Sequence, residues 1–173
     1  MESNDLRQVQ APLKQRYRDD PTAALVTLHA DGRLGEGVTC SVDTGRAMVA
    51  AGLHPATGGD GRSVCSGDLL LQALVACAGV TLLAVATSLG LDVSDGTVRA
   101  EGDLDFRGTL AVDREADVGF AAIRLTFDLG GDLSPDDRST LLRLSERYCA
   151  VWQTLASSPA MTSSLSVTPI TPR

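Results

Sequence analysis

The rhythm of polar and apolar residues changes several times along this chain. The first stretch, MESNDLRQVQAPLKQRYRDD, is polar with only weak helical periodicity, and it reads as an N-terminal arm over residues 1–22. From Ala23 the pattern becomes extended: ALVTLH, then Ala30-Asp31-Gly32, then RLGEGVTCSV, Asp43-Thr44-Gly45 and RAMVAAGL. Asp-Gly and Thr-Gly between extended runs supply the positive φ angles of tight hairpins, which predicts a three-stranded meander. HPATGGDGR, residues 54–62, concentrates Pro and Gly and predicts an irregular loop.

The next segment, SGDLLLQALVACAGVTLLAVATSL over Ser66–Leu89, is apolar around nearly its whole circumference. Ser66 is placed as N-cap, Asp68 sits in the positive first turn and Gly90 follows the end, so a helix of about 22 residues and about 33 Å is predicted. A helix of this kind is covered on all sides or lies in a membrane. Gln72, Thr81, Thr87 and Ser88 interrupt it and no basic flanks orient it, so a central helix of a soluble domain is the expectation and no membrane partner is.

Two further extended runs, GTVRAEGDLDFRGTLAV and VGFAAIRLTFDL, flank the charged Asp113–Asp117 and predict a long antiparallel hairpin. Ser134-Pro135-Asp136-Asp137 opens a second helix with Ser as cap, Pro in the first position and acids in the first turn. Leu141, Leu144, Tyr148, Trp152 and Leu155 follow at spacings of three and four and define one apolar face. SLSVTPI closes the chain as an expected edge strand. The whole predicts an α+β domain over residues 23–173 with order β-β-β-α-β-β-α-β.

Composition narrows the function. With 173 residues the chain can bury a core without staples, and with 3% aromatic residues that core is built from Leu, Val and Ala. The net charge of -7 repels phosphate backbones, so nucleic acid is not an expected partner. The N-terminal sequence has no apolar run after its charges, which points to the cytoplasm. There Cys40, Cys65, Cys77 and Cys149 are expected to be reduced, and a disulfide among them would be catalytic rather than structural.

Each cysteine has a plain packing reading. Cys77 in mid-helix and Cys149 on the second helix are small buried hydrophobes unless something nearby favours the thiolate, since an unperturbed thiol is only a few per cent ionised at neutral pH. Cys65 directly precedes the helix cap, where the helix dipole favours a thiolate, and it is a rival nucleophile. Cys40 lies in an extended run and reads as packing. His29 and His54 lack metal-ligand spacing, GGDG lacks the context of a phosphate cradle, and no G-x-S-x-G elbow occurs, so neither metal nor cofactor is expected.

The segment GGDGRSVCSGDLLLQALVACAGVTLLAVATSLGLDV, followed by the hairpin and then ERYCAVWQTL, resembles the OsmC/Ohr superfamily in pattern, order and spacing. In that family a Gly-rich loop precedes a long helix with a central Cys, and a second Cys follows in a C-P-V-type motif. Cys77 and Cys149, 72 residues apart, match those positions. The resemblance implies a two-layer fold of antiparallel sheets around a long central helix and an intertwined homodimer. It also implies a peroxidase cycle in which Cys77 attacks a hydroperoxide, an organic one above all. Cys149 then captures the sulfenic acid as a disulfide, and a dithiol reductant restores the pair. Gly67 stands where the family's organic hydroperoxide reductases carry a catalytic Glu, with Asp68 matching the adjacent acidic position, and Ala150 replaces the Pro of C-P-V. Those reductases place an Arg against the nucleophile; Arg62 is the leading candidate here, with Arg46 and Arg33 as alternatives. A binding or carrier protein that keeps the fold and an apolar dimer cavity is the alternative function.

Overall fold

A computed structural model describes residues 3–34, 40–42, 51–62, 64–93 and 95–166. The arm is helical: α1 spans Ser3–Asp19. Tyr17 in its last turn is buried in the core, and its hydroxyl donates to the Ala56 carbonyl at 2.6 Å. That single aromatic anchor ties down a helix too polar to show a clear apolar stripe.

Strand β1 runs Leu25–Leu34 and corrects the first expected turn. Asp31 and Gly32 lie inside it, opposite Arg99 and Val98. The chain reverses after Leu34, because β2, Cys40–Val42, pairs back on β1 with Leu34 opposite Cys40. Strand neighbours on both sides of β1 override the local turn preference of Asp-Gly. The third strand of the meander is also corrected. Its described part, β3 at Ala51–Gly52, pairs in parallel with β4 at Val64–Cys65 and not with β2; Asp43-Thr44-Gly45 lies outside the described residues. Between β3 and β4 the predicted loop contains a 3-10 turn over Pro55–Thr57 capped by His54, whose Nδ1 accepts from the Ala56 N–H.

The hairpin forms between β5, Asp95–Asp105, and β6, Phe120–Gly130. A short helical turn, α3 at Phe106–Thr109, lies at the end of β5. The four main strands follow the order β2-β1-β5-β6. Along β5 the inward positions Val98, Ala100, Gly102 and Leu104 alternate with outward ones, as a sheet with one covered face requires. On the outer face Arg124 and Thr27 converge on Asp103, and the Arg124 guanidinium, helped by the Thr27 hydroxyl, holds that carboxyl down at about 2.

The covered face packs on α2, Ser66–Leu89. Leu71, Leu74, Val75 and Ala78 meet Val98, Ala100, Leu104 and Tyr17 in the main core. Further along, Leu82, Val85 and Ala86 meet Leu133 and Leu141 in a second cluster. Gly90 ends α2 in the left-handed region at φ 67°, donating to the Ala86 and Thr87 carbonyls, the conformation for which glycine has no steric penalty. The residue in the N-cap position is Cys65 and not Ser66, and its side chain makes no capping hydrogen bond. Among the described residues α2 is the one helix long and apolar enough to cross a membrane, and half of its apolar window is buried against the rest of the chain.

The second predicted helix is divided. α4 covers Pro135–Tyr148, with Ser134 Oγ accepting from the Asp137 N–H at 3.1 Å. α5 covers Ala150–Ala156. Both are in contact with α2. Tyr148, expected on the apolar face, is 60% exposed, and its ring carries the Arg147 guanidinium. Of the expected closing strand, residues 164–166 are exposed and not in a strand, and the remainder lies outside the described residues.

Two substitutions test this packing. A Cβ at Gly102 would lie 2.5 Å from the Phe120 ring and 3.3 Å from Leu71, so Gly102→Ala is expected to destabilise the fold by about 2 kcal/mol in chemical denaturation. Ser145 on α4 is buried and its Oγ has no hydrogen-bond partner among the described residues. Ser145→Ala removes that uncompensated hydroxyl and is expected to stabilise by about 1 kcal/mol.

Candidate active site

The break between α4 and α5 is built around Cys149, which is the C-cap of one helix and the N-cap of the other with φ -73° and ψ 108°. Few backbone bonds are lost there. The Cys149 N–H still reaches the Ser145 carbonyl and the Cys149 carbonyl still receives the Gln153 N–H, both at 2.9 Å. The Cys149 sulfur accepts the Trp152 N–H at 3.4 Å, taking the role that Ser or Asp plays at other N-caps. Turning the chain at this point buries the Cys149 side chain, which is 1% exposed.

Against this break lies the middle of α2. Cys77 is half-buried and packs on the main core. Burial alone pushes its thiol up, but four hydrogen-bonding groups more than offset that and bring it below the ordinary thiol value: the Val151 N–H, the Cys149 thiol, the Thr81 hydroxyl and the Ala150 N–H. Val151 and Ala150 are the first residues of α5, so Cys77 faces the positive end of a helix. Cys149 is affected in the opposite sense. Burial raises it first, and a hydrogen bond to the Cys77 sulfur and the charge there raise it further. Of the two thiols Cys77 is therefore the more readily ionised, and Cys149 the less.

The structure thus packs the two cysteines singled out in the sequence on one core cluster and puts the other described candidates elsewhere. Arg62, the expected activating cation, is 88% exposed with its guanidinium 3.8 Å from Asp60, and it is not among the groups acting on the Cys77 sulfur. Its loop position leaves the side chain in solvent, beside the also exposed Asp60. Arg33 is exposed in β1, and Arg46 lies outside the described residues. Asp68 is in the first turn of α2, nine residues and therefore about 13 Å of helix from Cys77. Cys65 begins the same helix, about 18 Å away. His54 stacks on Phe106 at 5.1 Å. Among the described residues no three His, Cys, Asp or Glu side chains are grouped to hold a metal ion.

Three contributors escaped sequence reasoning. Val151 and Ala150 act through backbone N–H groups that no side-chain motif announces. Thr81 counted only as an interruption of an apolar helix, although its spacing of four from Cys77 puts the two on one face. A separate cavity of about 550 Å³ lies between β6, α4 and the later part of α2, and neither Cys77 nor Cys149 lines it.

The ordering of the two thiols predicts an ordered reactivity. With rising pH, iodoacetamide should label Cys77 first and Cys149 only after denaturation or at markedly higher pH, as read by peptide mass. Arg62→Ala should leave the Cys77 labelling profile where it is.

The fold and the site can be set beside known proteins. No curated protein sequence matches the chain. An OsmC-like hydroperoxide resistance protein from Jannaschia sp. CCS1 superposes with a TM-score of 0.61 at 16% identity, over 83% of this chain and 95% of the other. An OsmC-like protein from Mycoplasma pneumoniae gives 0.55 at 13% identity, over 78% of this chain and 86% of the other. Both likenesses are of fold. The sequence model of the OsmC-like protein family matches residues 59–164, a span that runs from the loop before α2 past α5 and holds both Cys77 and Cys149. On that match the chain belongs to the OsmC-like protein family.

Proposed function

We propose that this protein is a thiol-dependent peroxidase that reduces hydroperoxides, organic ones above all, and serves oxidative-stress defence. The observation that carries the reading is the pairing of Cys77, whose thiol is shifted down, with a buried Cys149 at the start of α5, whose thiol is shifted up. The name of the Jannaschia structure, a hydroperoxide resistance protein, points the same way.

The cycle needs no group beyond the two thiols and an external dithiol. The Cys77 thiolate attacks the outer peroxide oxygen, the O–O bond breaks, and the alkoxide takes up a proton and leaves as alcohol. Cys77 is then a sulfenic acid. The Cys149 sulfur attacks that sulfur, an S–S bond forms, and the S–O bond breaks with release of water. A dithiol reductant supplies two electrons and two protons by exchange and restores both thiols. Cys77 and Cys149 belong to one core cluster, which places the two thiols of the proposed disulfide on the packed surfaces of α2 and the α4–α5 break.

The working unit in this reading is a homodimer. Leu70, Ala73, Val80 and Ala84 are exposed on α2, at alternating spacings of three and four that place them on one line with Cys77. Leu70 and Val80 are each 38% exposed. A second copy laid along this stripe would cover it and wall the Cys77 sulfur with apolar side chains, which suits an organic peroxide better than a small polar one.

Two measurements test the proposal. One equivalent of cumene hydroperoxide should consume two thiols per chain and leave a Cys77–Cys149 link in peptide maps, while Cys149→Ser should leave Cys77 as sulfenic or sulfinic acid. Oxidation of Cys65 with Cys77 still a free thiol would reject the assignment, and no thiol loss at all would favour the carrier reading. Sedimentation should give about twice 18.0 kDa, and Val80→Arg should shift the protein towards monomer.

A further inference from the structure

Strand β6 stands last in the sheet order β2-β1-β5-β6. It pairs with β5 on one side, and among the described residues no strand lies on the other. An edge of 11 residues presents a row of unpaired N–H and C=O groups, and such edges are ordinarily blunted by proline, lysine or a bulge. β6, FAAIRLTFDLG, has neither proline nor lysine. Its one irregularity falls at the Phe120 end, and from Ala122 to Gly130 the register against β5 is unbroken. The cavity beside β6 follows this edge. Leu125, Thr126, Phe127, Asp128 and Leu129 all line it; successive strand residues point to opposite faces, so a space bordered by five in a row runs along the strand's edge and not over one face.

The side chains along this edge are self-complementary about Thr126. On the outer face Arg124 and Asp128 flank it, followed by Ala122 and Gly130; on the inner face come Leu125 and Phe127, then Ile123 and Leu129. A second copy of β6 laid antiparallel with Thr126 facing Thr126 sets each Arg124 opposite an Asp128, small residues opposite small ones, and apolar residues opposite apolar ones. Moving the centre by one residue leaves both charges without a counterpart, and moving it by two brings Arg124 onto Arg124 or Asp128 onto Asp128. The charges are accessible. Asp128 is exposed and makes no ion pair among the described residues, and Arg124, though bonded to Asp103, keeps 47% of its side chain exposed.

We propose that the free edge of β6 is an interaction surface for a second copy of this chain, joining two four-stranded sheets into one of eight strands about a two-fold axis at Thr126. Main-chain bonds along the edge supply the attraction, and the Arg124–Asp128 pair, made twice, fixes the register. The surface is separate from the exposed line on α2. That line holds the dimer in dilute solution, and the β6 edge joins dimers in pairs as concentration rises.

The test uses the full-length protein at high concentration. Thr126→Cys places a thiol on the axis, with Cα atoms of the two copies about 4.5 to 5.5 Å apart and so within reach of a disulfide. Ala122→Cys is the control, because its copy lies eight residues further along the pair, about 27 Å away. Both proteins are oxidised with copper phenanthroline, and peptide mass separates links at the new position from those of the natural cysteines. Thr126→Cys is expected to link about tenfold faster than Ala122→Cys. Adding Asp128→Arg to Thr126→Cys sets like charges opposite each other twice and should bring the rate down to the control's; Asp128→Lys serves in its place if thermal melts show that the first variant fails to fold. Equal rates at the two positions, or a rate that ignores the charge reversal, overturns the proposal. An edge covered by another part of the chain or by a different partner links slowly at both positions and overturns it equally. Linking at position 126 should persist when Val80→Arg is added, and its loss in a folded Val80→Arg protein would reject a surface separate from α2. Sedimentation in dilute solution reads the α2 line and cross-linking reads the β6 edge, so either interface can fail alone.

Discussion

A helix apolar around its whole circumference has to be covered on every side, and the architecture can be read as the partial solution of that problem. The sheet takes one side of α2 and the α4–α5 pair takes another. What remains is the line through Leu70, Ala73, Val80 and Ala84. At roughly 25 cal/mol for each Å² of apolar surface removed from water, closing such a line is a strong driving force for association. Cys77 owes its half-burial to its phase on this helix: it stands where the covered side meets the uncovered one, packed on the same core cluster as Cys149 and in line with the exposed residues.

The chemistry at this boundary is arranged with dipoles. In a chain of net charge -7, with Arg62 out in solvent, the thiolate is favoured by two N–H groups at a helix start, a thiol and a hydroxyl. Such donors are fixed by backbone geometry and need not reorganise when charge appears on the sulfur. Their combined effect has to exceed the cost of burial, and its sign at Cys77 shows that it does. At Cys149 burial acts with fewer compensating donors and with the charge of its neighbour, so the second thiol is pushed up instead of down.

How much of this could be read from the sequence depended on whether the cause was local. α2, the β5–β6 hairpin and the Ser134-Pro135 start of α4 were legible because periodicity and capping are properties of neighbouring residues. The path of β1 through Asp31-Gly32 was not, because strands on both sides decide it. The break at Cys149 left no trace because Ala150 occupies the position where a proline would have announced it. Tyr148 followed the helical spacing and is still exposed, because the buried side of α4 runs through Leu141, Ser145 and Cys149. The two cysteines could be matched by pattern, but Arg62 could not be placed: a loop position says where a side chain starts and not which carboxylate it meets. The polar N-terminal segment is held as a helix by contacts far along the chain: Tyr17 and Gln10 bond to the carbonyls of Ala56 and Thr57, and Leu13 packs on the core.

Cys149 is at once a redox-capable sulfur and the stop that begins α5, since its Sγ holds the Trp152 N–H while the next two N–H groups of that helix are turned on Cys77. The first turn of α5 is therefore shared between two thiols, and its order is part of their chemistry. Fraying of this seven-residue helix would weaken the cap and the thiolate together, so slow amide exchange at residues 150–152 becomes a structural signature of a reactive site. Drift in sequence over the exposed side of α5, remote from either sulfur, would tune nucleophilicity through helix stability alone, leaving both cysteines and their spacing untouched.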